Sequence, residues 1–445
     1  MLLAPSDPLL QAIDASFQRS KGVTTDTRSA GLDKVFFALC GERFDGNQYA
    51  IAALDSGCSA AIVDDPKIAQ LSKQCILVDD VLIALQSLAS LHRSRMTCPV
   101  IGLTGSNGKT TTKEFLRDIL LKKHPRTFAT KGNLNNHIGV PLTLLEIPLD
   151  AEMIILEIGA NAQGEIAELT KIARPTHGVI TNIGQAHLDG FGGIEGVIKG
   201  KRELFRYFEM NDLGSEPAIF VHAGHDILLE ISEGIPRQLY GVADHPPSAR
   251  MISDQGGSFF WIDPLWKEHG PIHPKITGPH NVENMLTALA IGSHFGVEPV
   301  DCTDALSAYI PTNNRSQWHP TVSNCILLDA YNANPSSMES SLDHFASTDA
   351  LAGGSNICIL GDMGELGTYA AEAHTRILGL AQALELEIWT VGPLFQAAHP
   401  DEGKIKSFPD LAAIQEAITS SKIKDRNIFL KGSRTMALES LIDFL

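Results

Sequence analysis

Pro99-Val100-Ile101-Gly102-Leu103-Thr104-Gly105-Ser106-Asn107-Gly108-Lys109-Thr110-Thr111-Thr112 is the stretch from which the rest of the chain is read. Its apolar run suits a buried strand, a glycine-rich turn follows, and Phe115, Leu116, Ile119 and Leu120 then share one face of a helix. In that setting Gly108-Lys109-Thr110 reads as a phosphate cradle. Glycines let backbone N–H groups approach oxygen atoms, the helix N-terminus favours negative charge, and Lys109 reaches the terminal phosphates. The Thr110 hydroxyl is placed to ligate Mg²⁺. The strict pattern asks for glycine where Leu103 stands, so the cradle rests on Gly105 and Gly108, with Ser106, Asn107 and Thr111 completing it. An ordinary strand–turn–helix connection would give no reason for Gly-Lys-Thr-Thr at the helix start.

The surrounding composition fits a multidomain enzyme. A chain of 445 residues has room for three domains, at about 150 residues each. Apolar residues make up 44% of it, enough for several cores, and no apolar run is long enough to cross a membrane. A net charge of −17 argues against nucleic acid or an anionic membrane as the main partner. A few lysines, arginines and a metal can still build a local cationic site. The seven cysteines are scattered without a Cys-x-x-Cys pair, as expected of reduced thiols in a cytosol. No basic segment followed by an apolar core opens the chain. A cytoplasmic monomer is expected.

The pattern changes twice along the chain. Residues 1–97 mix short strands (Val35–Leu39, Ala60–Val63) with helical stretches. Residues 98–311 alternate longer strands (Met153–Leu156, Gly178–Asn182) with helices, the rhythm of a parallel sheet covered on both faces. Within this part, the Gly-, Pro-, Asp- and His-rich segment 215–275 suggests peripheral hairpins, and a helix over Asn281–Ala290 closes it. Residues 312–445 repeat the rhythm with strands at Cys325–Leu328, Ile357–Leu360, Ile388–Val391 and Ile428–Leu430. The expected fold class is therefore α/β in three domains: a small α/β N-terminal domain, a central P-loop parallel-sheet ATPase domain, and a C-terminal Rossmann-like domain.

Ligands gather at the carboxyl edge of open parallel sheets. Glu157 directly follows Ile154-Ile155-Leu156 at the edge that carries the phosphate loop. It could hold a nucleotide-bound Mg²⁺, or serve as a helix cap or surface charge. His187 follows the strand ending at Asn182. Hard cations prefer oxygen, so its chemistry suits a ligand or a hydrogen-bonded structural histidine equally. Lys201 lies in the middle of the apolar stripe formed by residues 194, 197, 198, 204, 205 and 208, whereas Lys199 points the opposite way. Burial disfavours an ammonium, and a neutral amine can add CO₂ to become a carbamate that binds a second Mg²⁺. A half-buried lysine could instead snorkel outward.

These residues together resemble the Mur ligases over nearly the whole chain. Thr25-Asp26-Thr27-Arg28 and Val35-Phe36-Phe37-Ala38-Leu39-Cys40-Gly41-Glu42-Arg43-Phe44-Asp45-Gly46 are similar to the family's UDP-binding domain. The phosphate loop, Gly132-Asn133-Leu134-Asn135-Asn136, Glu157-Ile158-Gly159-Ala160, His187, Lys201 and Gly278-Pro279-His280-Asn281 fall in the family's order. Asp329-Ala330-Tyr331-Asn332-Ala333-Asn334-Pro335 and Gly361-Asp362-Met363-Gly364-Glu365-Leu366-Gly367 resemble the member that adds a dipeptide. The Asp-Asn-Pro-Arg motif of the member adding the third amino acid is absent.

The resemblance implies an ATP-dependent, ADP-forming ligase that joins D-alanyl-D-alanine to a UDP-N-acetylmuramoyl-tripeptide through an acyl phosphate, in cytoplasmic peptidoglycan precursor synthesis. It implies Lys109 and the loop amides on the β- and γ-phosphates, Asn281 on adenine and Asp329 on ribose. Arg315 would face the phosphates, although Asn313-Asn314-Arg315-Ser316 departs from the commoner Gly-Arg. Thr110 and Glu157 would bind one Mg²⁺, with His187 and carbamylated Lys201 serving the second. Substrate contacts would come from Thr27, Arg28, Asn133, Asn136, Asn332 and Asn334. Two other readings share parts of the pattern. A folate polyglutamate ligase would lack the UDP-type domain and the Tyr-Asn-Ala-Asn-Pro string, and a nucleotide switch would need no amino-acid substrate.

Overall fold

Strand β5 (Val100–Thr104) is buried along its whole length, as expected of an aliphatic run with helices on both faces. In the computed structural model, which describes residues 2–29, 31–211, 218–252, 257–311, 314–348, 354–398 and 405–445, the chain divides into two compact units. One comprises Met1–Leu103, His124–Ala160 and Gly164–Gly178; the other comprises Thr104–Lys123, Asn161–Gln163 and Val179–Leu445. Asn313 lies outside the described residues.

In the first unit, β1 (Val23–Thr24), β2 (Val35–Phe37), β3 (Ala60–Val63) and β4 (Cys75–Leu77) form a parallel sheet in that order. The helix Val81–Arg93 starts at Asp80, whose carboxylate accepts the Ile83 N–H at 2.8 Å. Its far end carries buried Arg93, which donates to the carbonyls of Met96, Ala173 and Arg174. A buried guanidinium is tolerable when its donors are satisfied in this way. β5 then pairs in parallel with β7 (Met153–Glu157), and β7 with β6 (Thr127–Ala129). The register sets Leu103 opposite Glu157, so the acid is the last residue of its strand.

In the second unit, the end of β8 (His177–Ile180) neighbours β9 (Ile219–His222), and β9 pairs in parallel with β10 (Arg237–Tyr240). These two strands correct the expectation of hairpins across 215–275. Only β11 (Ser248–Met251), β12 (Phe259–Ile262) and β13 (Glu268–Ile272) form an antiparallel meander. The flanking Gly, Pro and His conceal that β9 is wholly buried. A strand buried on both faces shows no alternation for composition to reveal.

Helices α1 (Lys109–Leu120), α2 (Ile194–Met210) and α3 (Pro279–His294) belong to the same unit. α3 approaches α1 so closely that a Cβ at Gly292 would sit 2.5 Å from Ile119. A further sheet has the order β14 (Gln317–Pro320), β15 (Asn324–Leu328), β19 (Arg426–Lys431), β16 (Ser355–Gly361), β17 (Glu387–Val391), β18 (Ile405–Phe408). All its pairs are parallel except β14–β15, which places an antiparallel edge on a doubly wound sheet. Helix α4 (Pro335–Ala346) follows β15 and opens immediately after the Tyr-Asn-Ala-Asn string.

Candidate active site

The phosphate loop is shaped by two glycines and braced by the end of β8. Gly105 has φ +147° and Gly108 φ +79°, conformations that disfavour any side chain. A Cβ at Gly105 would lie 1.9 Å from Thr181 Oγ1, and one at Gly108 would lie 2.3 Å from Asn284 Oδ1. The Ser106 and Asn107 N–H groups donate to the Asn182 carbonyl and side-chain oxygen, each at 3.0 Å. Thr181 Oγ1 donates to the Asn107 carbonyl at 2.6 Å, and Ser106 Oγ reaches the Gly184 carbonyl at 2.9 Å. These bonds use up the amides on the near side of the loop. Helix α1 starts directly after Gly108, so the positive end of its dipole lies at the loop. Lys109 Nζ folds over the loop to the Gly105 carbonyl at 2.6 Å. A phosphate would offer that ammonium a charged acceptor in place of a neutral one.

Glu157 is 2% exposed in the first unit. Asn135 Nδ2 donates to its Oε1 at 2.8 Å, and Thr130 Oγ1 accepts its backbone N–H at 3.0 Å. Asn135, rather than Asn133 or Asn136, therefore orients this acid. Asn136 instead accepts the Gly139 N–H at 2.9 Å, at the start of the helix Gly139–Glu146. Asn133 contributes its carbonyl to the Asn135 N–H at 2.8 Å. Thr27 and Arg28 lie in a short helical turn, where the exposed Arg28 grips Asp26 at 2.7 Å.

In the second unit, His187 adopts φ +54° and holds Nδ1 2.6 Å from Glu365 Oε2. That contact pulls Glu365 below the usual carboxylate range and leaves the other imidazole nitrogen for a further partner. Lys201 is 1% exposed on the buried face of α2, while Lys199 is exposed. Its amine lies 5.1 Å from the Phe191 ring centroid. Thr110 and Glu157 offer the hard oxygen donors that Mg²⁺ takes. Lys201 as an amine does not suit Mg²⁺, but as a carbamate it would offer oxygens.

Asn281 is buried at the start of α3. It donates to the Thr277 carbonyl at 2.6 Å and accepts from Asn284, which in turn meets Thr112 at 3.1 Å. Beside this helix start lies a cavity of about 510 Å³ lined by Ile276, Thr277, Gly278, Pro279, Val282 and His344, among others. Neighbouring His280 is pushed down to about 4 by burial, and its ring nitrogens lie 3.2 Å from Ser316 Oγ and Ser340 Oγ. Asp329 is buried against the Lys431 ammonium; it also accepts from Ser341 Oγ at 3.0 Å and the Ser316 N–H at 3.2 Å. Burial alone would raise its pKa, and Lys431 and the hydroxyl together hold it below the ordinary range. Arg315 stacks 3.8 Å over Tyr331 and donates to Thr110 Oγ1 at 3.3 Å. Asn334 Nδ2 donates to Asn107 Oδ1 at 2.7 Å, and Ser336 Oγ accepts the Gln185 N–H at 2.8 Å. Asn332 turns back on the Ala333 N–H at 2.9 Å.

Residues 103–292 match the Mur ligase middle domain, and residues 314–434 match the Mur ligase glutamate ligase domain. The UDP-N-acetylmuramoyl-tripeptide–D-alanyl-D-alanine ligase of Bacillus subtilis is 34% identical over 95% of this chain and 92% of its own length. The chain belongs to the Mur ligase family. A crystal structure of MurF from Acinetobacter baumannii agrees with a TM-score of 0.85 at 30% identity, covering 98% of this chain and 97% of that one. The Thermotoga maritima MurF, crystallised with ADP, shares the fold at 24% identity and a TM-score of 0.82, over 96% and 97% of the two chains.

Several groups that shape this Mur ligase site escape a reading of sequence. Asn182, Asn284, Ser336 and Lys431 each act from a distant part of the chain, and no local spacing marks them. Asn135 and Glu365 stand inside quoted motifs, so the motif carried the signal. Which member of each motif touches the site is decided by backbone direction.

Proposed function

We propose that this chain joins D-alanyl-D-alanine to a UDP-N-acetylmuramoyl-tripeptide at the expense of ATP, releasing ADP and phosphate, in the cytoplasm. The observation that carries the reading is the 2.7 Å hydrogen bond from Asn334 to Asn107. It joins the Tyr-Asn-Ala-Asn-Pro string, distinctive of the dipeptide-adding member, to the loop that cradles phosphate. We divide the chain into a UDP-sugar-binding domain (1–97), a central ATP-binding domain (98–311) and a C-terminal domain (312–445).

Lys109 and the first-turn amides of α1 hold the terminal phosphates, and Arg315 offsets their charge from the other side of Thr110. Asn281 meets adenine, and Asp329 accepts from a ribose hydroxyl while keeping Lys431. Thr27, Arg28, Asn133 and Asn136 serve the UDP-sugar peptide, and Asn332 and Asn334 the dipeptide. Thr110 and Glu157 are the ligands assigned to one Mg²⁺, with His187 and carbamylated Lys201 assigned to a second. Bound there, magnesium neutralises the charge that gathers on the transferring phosphoryl group.

The tripeptide's terminal carboxylate attacks the γ-phosphorus, and the bond to the β–γ bridging oxygen breaks to release ADP. The resulting acyl phosphate exposes a carbonyl with a good leaving group. The neutral amine of D-alanyl-D-alanine adds to it, and the tetrahedral intermediate expels phosphate and loses a proton to give the amide. Residues that hold the dipeptide against the phosphate loop keep water from competing for the acyl phosphate. Phosphate release measured with each substrate omitted in turn tests the reading. Release is expected only with ATP, the UDP-sugar tripeptide and the dipeptide together; equal release with neither acceptor present would replace the ligase with a nucleotide switch.

A further inference from the structure

We propose that His222, His225 and Glu283 form a binding site for a zinc-class divalent metal, separate from the magnesium ligands assigned above. His222 ends β9, His225 precedes the helix Asp226–Ile231, and Glu283 lies in the second turn of α3. One ligand atom from each lies within 4.8 Å of the others. His225 Nε2 lies 3.3 Å from Glu283 Oε2. That is about the separation of two ligands on one tetrahedral zinc with bonds near 2.0–2.1 Å.

Three further observations point to a ligand. His222 is 6% exposed and its Nε2 has no hydrogen-bond partner among the described residues, a costly arrangement for a buried polar atom. Two glycines reserve the space around that ring: a Cβ at Gly241 would lie 2.2 Å from His222 Nε2, and one at Gly224 would lie 3.0 Å from the ring. Third, the cluster is open to solvent on one side, with the His225 and Glu283 side chains 31% and 45% exposed. A metal therefore has an entry path.

Protonation favours binding as well. Burial and the neighbouring His225 push His222 down to about 4, so its imidazole is neutral at pH 7. Burial raises Glu283, but the two histidines outweigh it and leave the acid below its ordinary range, hence ionised. Two imidazoles and a carboxylate suit zinc, cobalt or nickel rather than magnesium. One adjustment is required. The Gly224 N–H donates to His222 Nδ1 at 3.1 Å, so ligation through Nε2 moves the ring proton to Nδ1 and turns that peptide N–H to another partner. Gly224 lies in the short turn between the two histidines. Tyr240 packs edge-on to His222 at 5.3 Å, but its hydroxyl is committed to Thr287 at 2.8 Å, so it adds no ligand. A metal here would pin the start of α3, which carries Asn281 and Asn284, to the end of β9.

Titration of the full chain, first stripped with chelator, with Co²⁺ alone tests the site. One equivalent is expected to bind with the visible absorption of a tetrahedral cobalt centre, and Zn²⁺ should displace it while a large excess of Mg²⁺ should not. His225→Gln and Glu283→Gln, both at partly exposed positions, should each weaken uptake by more than the roughly 10–100-fold that losing a supporting second-sphere group costs. His187→Ala should retain the equivalent. Circular dichroism of each variant establishes that it folds. Uptake that is absent in the wild type, unchanged in the His225→Gln/Glu283→Gln double variant, or lost with His187→Ala would overturn the proposal.

Discussion

The phosphate loop and the patch around Asp329 are both polar, buried and within the same unit, yet they are built in opposite ways. The loop takes its shape from one continuous run, Thr104 to Thr112, locked to Thr181 and Asn182. Its working parts are backbone amides and two glycines with positive φ. The patch gathers Ser316, Asp329, Ser341 and Lys431 from four separate places in the chain, and a buried charge is offset there by another charge. The first arrangement is vulnerable to an added atom and the second to a removed one.

The largest effects are expected at Lys201 and in the loop. Lys201→Ala is expected to lower ligase turnover on the order of 10³-fold, as loss of a group that stabilises transition-state charge does. Short carboxylates added to the assay should restore part of it by standing in for the carbamate proposed at Lys201. Full activity of the variant without additive would remove the carbamate from the account. Gly108→Ala should cost on the order of 10²-fold in kcat/KM for ATP. Its Cβ would meet Asn284 at 2.3 Å, and the φ of +79° remains strained at about 1–3 kcal/mol. Adding Asn284→Ala relieves the clash but not the strain, so the double variant should recover only in part. Complete recovery would show that space, not backbone conformation, governs the loop.

The patch should respond in stability rather than in rate alone. Lys431→Met strands the Asp329 carboxylate and should destabilise the fold by about 3–5 kcal/mol near neutral pH. The pH dependence has a definite sign. With Lys431 present, the lowered Asp329 pKa stabilises the fold above the ordinary carboxylate value, and that contribution disappears as pH falls through the lowered pKa. Without Lys431, burial is opposed only by His280 and the Ser341 hydroxyl, and the folded pKa rises. The penalty is then small in acid and grows as pH rises through the ordinary value. The gap in Tm between variant and wild type should therefore be wider at pH 8 than at pH 4. A gap independent of pH would mean that Lys431 matters through packing alone. Asp329→Asn in the same background should narrow the difference at pH 8.

The same contrast explains how far the sequence could be read. Gly108-Lys109-Thr110 was legible because strand, turn and helix are consecutive, and the stripe on α2 placed Lys201 on the face that is buried. β5, β7, β8, β15, β16, β17 and β19 were legible in kind from their aliphatic runs, whereas the short β6, β14 and β18 were not. β9 and β10 were not legible either, because short strands amid Gly, Pro and His resemble loop composition. Lys431 ends its strand as one lysine among many, and only the parallel pairing of β15 with β19 brings it to Asp329. The partnership of His187 with Glu365 likewise depends on tertiary placement. Asn135 and Asn136 are adjacent and chemically identical, yet one holds Glu157 and the other caps a helix. Backbone direction separates them, and a string of asparagines carries no record of it.

The smallest effect sought is at Asn334, where loop and C-terminal region meet and two roles share one side chain. Its Oδ1 caps α4 by accepting the Ser337 N–H at 2.9 Å, while its Nδ2 donates to Asn107. Asn334→Ala removes both, and the lost cap alone should cost about 1 kcal/mol of stability. Asn334→Asp retains an oxygen for the cap and loses the donor. It should therefore keep a Tm close to that of the wild type while turnover falls roughly tenfold, the equivalent of about 1.4 kcal/mol in the barrier. If the aspartate variant instead matched the alanine variant in stability and the wild type in turnover, the bond to Asn107 would be a packing contact. The dipeptide string would then influence the phosphate loop only through the helix that it starts.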